Sequence, residues 1–249
     1  MSSLQISLIA LGCLVAGVLL GMWSQNLLPE HHLSKASQDT VKLGAGMIAT
    51  MSALILGLLV SSAKSSFDAM SLSIAQTGAK IIQFDHLLAE YGPETKPLRE
   101  QLKQSVTARI EKIWGAQGGM QAVEKSNTIQ DMQQRLRDLA PQTDWQKAIL
   151  AQVQQISNDV WQNRLLMLEQ QQEPVPTVFL VLLVFWLTLL FASFSLFAPR
   201  NFTVSAVLFV CALSVSSAVF LILEMSHPLD GYIKVSSAPL LKALEMIAK

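Results

Sequence analysis

Hydroxyl-bearing and bulky apolar side chains share one stretch of the chain, residues 44–66, whose single charged residue is Lys64. Seven of its residues have the chemistry that a water-filled pore and its constriction need: Thr50, Met51, Ile55, Leu58, Leu59, Ser62 and Ser66. Hydroxyls can line a pore, and apolar rings can gate it by dewetting. In an oligomer, Lys64 and Lys80 would form positive rings that favour anions. The alternative is plain packing, because serines in membrane helices often hydrogen-bond their own backbone or a neighbouring helix.

Residue patterns typical of enzymes are absent. The sequence has no Gly-rich phosphate loop, no H-E-x-x-H, no G-x-S-x-G and no cysteine–histidine ligand cluster. We therefore expect no enzyme activity, no catalytic residue, no metal and no cofactor. A cation at Glu224, His227 and Asp230 is conceivable, and the alternative there is a tight turn at the membrane surface. With 18 basic and 18 acidic residues, the chain lacks the basic excess of a nucleic-acid-binding protein.

Four apolar runs are long enough to cross a bilayer, which takes about 20 residues as a helix. They are residues 4–23, 44–63, 175–197 and 202–223. Because helices satisfy their own backbone hydrogen bonds in lipid, the runs predict an all-α fold with four transmembrane helices. The first run contains Gly17 and Gly21, a G-x-x-x-G spacing that lets two helices approach closely.

Basic residues near the ends of these runs predict the orientation. With four crossings, both termini and residues 64–174 lie on one side of the membrane. That side carries Lys64, Lys80, Arg164, Lys234, Lys242 and Lys249, and the other carries Lys35, Lys42 and Arg200. Because positive charge stays in the cytoplasm, we expect a multi-pass membrane protein with both termini cytoplasmic.

The spans divide the chain into four parts: helices one and two (1–63), a cytoplasmic helical insert (64–174), a transmembrane hairpin (175–223), and a turn with an amphipathic helix (224–249). The second span is predicted to continue as one helix over 44–90 and to stop at Tyr91-Gly92-Pro93. Further helices are predicted over 94–114, over 120–139, and from Thr143, where Gln146 completes a capping box. The buried face of the last insert helix is predicted to be Trp145, Ile149, Val153, Ile156 and Val160. Ser237 is predicted to cap the terminal helix.

Two stretches resemble the bacterial bestrophin-like membrane proteins. The first is residues 56–68, continuing through 85–94 to Arg99, and the second is residues 227–231 with 235–240. The residues that carry the resemblance are Lys64, Phe67, Asp68, Asp85, Tyr91, Gly92, Pro93, Arg99, Pro228, Gly231, Ser236 and Pro239.

What the resemblance implies is an oligomeric anion channel with cytoplasmic termini, a cytoplasmic helical insert and a pore lined by the second helices. The second span lacks the phenylalanine-rich neck of animal bestrophins, and the chain lacks their acidic calcium cluster.

Two hypotheses follow from these observations. The first is an oligomeric, passive ion channel of the inner membrane, anion-preferring, whose pore is lined by the second helix. Its partners would be the lipid bilayer, further copies of the chain and inorganic anions. The second is a non-conducting membrane scaffold or sensor whose helical insert binds a cytoplasmic partner.

Overall fold

The fold is all-α, as the sequence predicts. The computed structural model describes residues 2–29, 35–115, 128–170, 177–199 and 201–248, and this part of the chain contains no strand. Its helices are α1 (Ser3–Ser24), α2 (Lys35–Tyr91), α3 (Lys96–Trp114), α4 (Thr128–Arg137), α5 (Asp144–Gln170), α6 (Thr177–Leu196), α7 (Phe202–Ser226) and α8 (Ala238–Ile247), with a 3-10 turn at Pro93–Thr95.

Four helices are long and apolar enough to cross a membrane. They are Ser3–Ser24, the segment Ser37–Tyr91 of α2, Thr177–Leu196 and Phe202–Ser226. Each contains or closely matches one of the four predicted runs. The chain divides into two compact units: a first unit of Met1–Ser65 with Pro174–Ser226, and a second unit of Ser66–Glu173 with His227–Lys249.

Small residues bring α1 and α6 together in the first unit. A Cβ atom added at Gly17 would lie 2.7 Å from the carbonyl oxygen of Thr188, and one at Gly21 would collide with Ala192 and Ser195. The Ser195 hydroxyl donates to the carbonyl oxygen of Val18 at 2.8 Å. The G-x-x-x-G spacing therefore marks a close helix–helix contact within the protomer.

Replacing Gly21 with alanine is expected to lower the free energy of unfolding by about 1–3 kcal/mol, since the added methyl group overpacks this contact. Gly12 is the matched control, because a Cβ atom there meets nothing within 4 Å. Gly12→Ala is expected to leave stability unchanged or slightly raised. Thermal unfolding of both variants in detergent tests the contact, and equal melting temperatures would contradict it.

Helix α2 ends where the sequence places its end. Gly92 has a φ of +143°, a region that side chains rarely adopt, and Pro93 cannot continue the helix. The Thr95 hydroxyl closes the turn by donating to the carbonyl oxygen of Gly92 at 2.8 Å. The chain then reverses into α3, so that α2 and α3 are neighbours in the second unit.

The core of the second unit is built by α2, α3, α4, α5 and α8. Its main cluster includes Phe84, Leu102, Leu136, Val153 and Ile247. Ile149, Val153 and Ile156 are buried as predicted, and Val160 packs against the same cluster. Residues 120–127 of the predicted 120–139 helix lie outside the described residues.

The prediction for Trp145 is wrong, because its side chain is 66% exposed. The Gln146 side chain donates to the carbonyl oxygen of Tyr91 at 3.2 Å, so the first turn of α5 is level with the last residue of α2. No further turn of α2 remains to cover Trp145. The capping interaction at Thr143 is present, since its hydroxyl accepts from the Gln146 backbone N–H at 3.2 Å. The Gln146 side-chain oxygen accepts from the N–H of Gln142 at 2.8 Å, one residue before the Thr143 N–H that a full capping box would pair.

A compact turn precedes α8. The Val235 N–H donates to Pro228 O at 2.9 Å, and the Trp114 indole N–H donates to Val235 O at 2.7 Å. Ser237 occupies the N-cap position of α8, as predicted, but its side chain makes no capping hydrogen bond. The hydroxyl of Ser236 accepts from the Ala238 N–H at 3.2 Å instead.

Candidate pore-lining face

One face of α2 is buried within the first unit. Ala45, Ser52, Leu59 and Ala63 are all at most 5% exposed. Their spacings of seven and four residues place them on one side of a helix with 3.6 residues per turn. Leu59 and Ala63 pack against Leu183 of α6 and Ile222 of α7. This face therefore fixes the rotation of α2 in the first unit.

The opposite face of α2 is exposed. Leu54 and Leu58 are 68% and 63% exposed, and Met47 and Met51 lie on the same side. At about 100° per residue, these four side chains point away from the Leu59 side of the helix. We call Met47, Met51, Leu54 and Leu58 the exposed apolar stripe.

The sequence-predicted lining residues fall into two groups. Thr50, Met51, Leu58, Ser62 and Ser66 are exposed, whereas Ile55 is half-buried against the cluster that contains Leu59. Leu59 itself is buried. Sequence reasoning missed Met47 and Leu54, which the four-residue spacing from Met51 and Leu58 could have indicated.

Hydroxyl groups follow the exposed apolar stripe along α2. Ser61, Ser62, Ser65 and Ser66 are all exposed, and their hydroxyls make no hydrogen bond with any residue that the structure describes. We call these four residues the hydroxyl patch. Exposed serines of α7 differ, because Ser214 and Ser217 each donate to the carbonyl four residues earlier, at 2.9 Å and 2.8 Å. The serines of α7 thus suit lipid, whereas those of the hydroxyl patch have donors available for water or ions.

The two lysines of the predicted positive rings have different surroundings. Lys64 lies between Ser62 and Ser65 in sequence and is exposed. Lys80 belongs to the second unit, where its ammonium forms an ion pair with Asp159 at 3.2 Å. Of the two lysines, only Lys64 therefore belongs to the same unit as the exposed apolar stripe.

Several residues of the family resemblance hold the second unit together. The Arg99 guanidinium makes a two-pronged contact with the buried Asp85 carboxylate, at 2.8 Å and 2.7 Å. This hydrogen bond raises the pKa of Arg99. Burial, together with Glu94, raises the pKa of Tyr91. Phe67 packs against the cluster of Met70 and Ile74, whereas Asp68 is exposed.

The second family stretch forms the turn before α8. The backbone of Pro239 lies so close to Gly78 of α2 that a Cβ atom on Gly78 would be 2.9 Å from Pro239 O. Pro228 and Gly231 lie in the turn, and the Asp230 N–H donates to His227 O at 3.2 Å. Among the described residues, no group of three His, Cys, Asp or Glu side chains could hold a metal ion.

These features define a class of protein. It is an all-helical membrane protein with an exposed hydroxyl patch on its second helix. A model of the bestrophin-like domain matches residues 12–240, and the chain belongs to the bestrophin-like family.

The fold is similar to that of a solved structure, a mutant form of a bacterial bestrophin homologue from Klebsiella pneumoniae. The TM-score is 0.55 at 12% identity, over 98% of this chain and 97% of that one. No curated protein matches the chain.

Proposed function

We propose that the chain forms an oligomeric, passive ion channel of the bacterial inner membrane, with the exposed face of α2 lining the pore. The observation that carries the proposal is the hydroxyl patch, four exposed serines whose hydroxyls make no hydrogen bond within the part of the chain that the structure describes. Family membership and the fold similarity support it.

The free energy of these hydroxyls depends on whether water or lipid covers them. A hydroxyl moved from water to an apolar medium without a hydrogen bond costs roughly 2–7 kcal/mol. Lipid chains offer no such partner, so the hydroxyls of Ser61 and Ser62, which lie within the predicted span 44–63, disfavour a lipid-facing orientation. A water-filled path along the axis of an oligomer supplies the partners that these serines lack.

The exposed apolar stripe supplies a constriction next to the hydroxyl patch. Leu54 and Leu58 are one helical turn apart, and Met51 lies beside them on the same face. Repeated around an axis, such side chains form a ring that admits water only when it widens. Leu59 packs into the protomer, so the proposed lining set leaves it out.

We further propose that both termini and the second unit are cytoplasmic, and that the channel prefers anions. The orientation rests on the distribution of basic residues along the sequence. Anion preference rests on Lys64, whose ammonium would form a positive ring beside the hydroxyl patch. Inorganic anions would then be the permeant species.

Replacing Lys64 with glutamine is expected to lower the anion-to-cation permeability ratio several-fold, because the positive ring is lost. Asp68 is exposed one helical turn further along, and Asp68→Asn is expected to shift the ratio in the opposite direction. Reversal potentials in a salt gradient measure both changes. An unchanged ratio in both variants would remove the electrostatic basis for anion selectivity.

Planar-bilayer recording of the purified full chain tests the channel itself. The oligomer is confirmed first, by mass measurement in detergent. We expect single-channel currents that follow the electrochemical gradient and need no added energy source. A confirmed oligomer with reproducible zero conductance for both anions and cations would overturn the proposal.

The second candidate function is a non-conducting scaffold or sensor. The exposed side chain of Trp145 on the second unit favours it, because tryptophan is enriched at the energetic centres of protein interfaces. Full-length protein in nanodiscs, used as bait with a Trp145→Ala control, tests this function. A stoichiometric cytoplasmic partner that binds only the parent protein, together with zero conductance, would support it over the channel.

A further inference from the structure

A cavity of about 100 Å³ lies within the second unit, among α2, α3, α4, α5 and α8. Most of its lining is apolar, including Phe84, Leu102 and Val106. Arg109 and Lys80 bring two cationic side chains to the same cavity. A smaller adjoining cavity of about 30 Å³ is lined by Arg109 and Arg164 together.

The two cationic side chains that line the larger cavity, Lys80 and Arg109, differ in their partners. Lys80 is paired with Asp159 at 3.2 Å, but no described carboxylate forms an ion pair with Arg109. Arg164 lies beside it, stacked on Trp161 at 5.4 Å from the ring centre. Burial and the nearby Arg164 lower the pKa of Arg109 to about 10. A partly buried guanidinium without a carboxylate beside it carries a desolvation cost, which an anion placed against Arg109 would offset.

The hydroxyl of Ser157 is also available to an anion in the cavity. Ser157 is 6% exposed and lines the cavity, and its hydroxyl makes no hydrogen bond with any residue that the structure describes. Thr77 differs, since its hydroxyl donates to Ser73 O at 2.8 Å and accepts from the Asn163 amide at 3.2 Å. The Ser157 hydroxyl therefore has a donor available to a molecule in the cavity.

We infer that this cavity binds a small organic anion, a short-chain carboxylate whose carboxylate group meets Arg109 and Ser157 and whose hydrocarbon tail packs between Phe84, Leu102 and Val106. The planar guanidinium matches the two oxygens of a carboxylate. The apolar walls favour a hydrocarbon tail and disfavour a strongly hydrated inorganic phosphate. An apolar cavity of about 150 Å³ holds benzene, so the smaller cavity of about 100 Å³ admits only short carboxylates, of butyrate size or below.

The inference does not depend on the proposed channel function. All residues that line the cavity belong to the second unit, whereas the exposed apolar stripe belongs to the first. Binding can therefore be measured on a protein that conducts nothing. Conversely, conduction can be measured on a variant that no longer binds.

Sodium butyrate is titrated into the full chain in detergent, and its binding is measured by isothermal calorimetry and by thermal unfolding. The parent protein is expected to bind butyrate and to melt at a higher temperature in its presence. 1-Butanol tests the need for the charge, and sodium phosphate tests the need for the tail. Neither is expected to bind comparably. No butyrate binding to the folded protein, or equal binding of phosphate, would overturn the inference.

Arg109→Gln and Ser157→Ala are the decisive variants, with Lys112→Gln on the exposed side of the same α3 as the control. Arg109→Gln is expected to weaken butyrate binding about 10- to 100-fold, since hydrogen bonds to charged groups are the stronger class. Without ligand, it is expected to melt at or above the parent temperature, because an unfavourable charge is removed. A purely structural arginine would give the opposite shift in melting temperature.

Ser157→Ala is expected to bind butyrate several-fold more weakly, and Lys112→Gln is expected to bind it like the parent. Undiminished binding by Arg109→Gln would overturn the assignment.

Discussion

Arg99→Ala is expected to lower the free energy of unfolding by about 3 kcal/mol, the lower part of the range for breaking a buried ion pair. The substitution leaves the Asp85 carboxylate, only 6% exposed, without its two-pronged partner. Asp85→Ala is expected to cost less, because the side chain of Arg99 is one-third exposed and can turn to water. Removing either partner at this junction of α2 and α3 is therefore expected to lower the free energy of unfolding by a different amount, and Arg99→Ala by the larger one.

The asymmetry provides an internal check. Adding Asp85→Asn to Arg99→Ala is expected to recover part of the lost stability, because a neutral amide is cheaper to bury than a carboxylate. Glu90→Ala is the matched control on the same helix, since Glu90 forms an exposed pair with His86 at 3.2 Å. Exposed pairs contribute about 0–1 kcal/mol. Denaturant unfolding in detergent measures all four variants, and an Arg99→Ala protein as stable as Glu90→Ala would contradict this role.

Leu58→Ser is expected to raise the current by about tenfold or more, because a barrier lower by about 1.4 kcal/mol already gives a factor of ten. In an oligomer the change is repeated around the axis, and each serine makes the constriction easier to wet. Leu54→Ser is expected to act in the same direction. Single-channel recording gives conductance and open probability separately.

Leu213 on α7 is the matched control for this substitution. It is an exposed leucine of a candidate membrane span, and it lies on another helix. Leu213→Ser is expected to leave the current unchanged. Equal effects of Leu58→Ser and Leu213→Ser would mean that the exposed apolar stripe forms no constriction.

Much of the fold was predictable because its signals are local. The four apolar runs set the long helices, and Tyr91-Gly92-Pro93 set the end of α2, where Gly92 has its positive φ. Gly17 and Gly21 correctly indicated a close helix contact, although the spacing could not tell that its partner is α6 of the same chain. Such signals depend on backbone sterics and need no knowledge of distant residues.

The sequence could not indicate what is decided by neighbouring helices. Trp145 continues the apolar spacing of α5, but α2 ends level with it and leaves it uncovered. Leu59 and Leu58 are alike in sequence, yet only Leu59 meets Leu183 and Ile222. Arg109 had no local signal, because its significance comes from Arg164 and Ser157 on another helix.

The most direct test of the account combines cysteine substitution with current recording, in a background where Cys13 and Cys211 are replaced by alanine. Leu58→Cys and Ser62→Cys lie on the exposed face of α2, and Leu59→Cys lies on its buried face. If α2 lines the pore, a water-soluble, negatively charged thiol reagent, which an anion-preferring pore admits, blocks the current of the first two variants and leaves that of Leu59→Cys unchanged. An unmodified current in both exposed-face variants, in a confirmed conducting oligomer, would contradict the account.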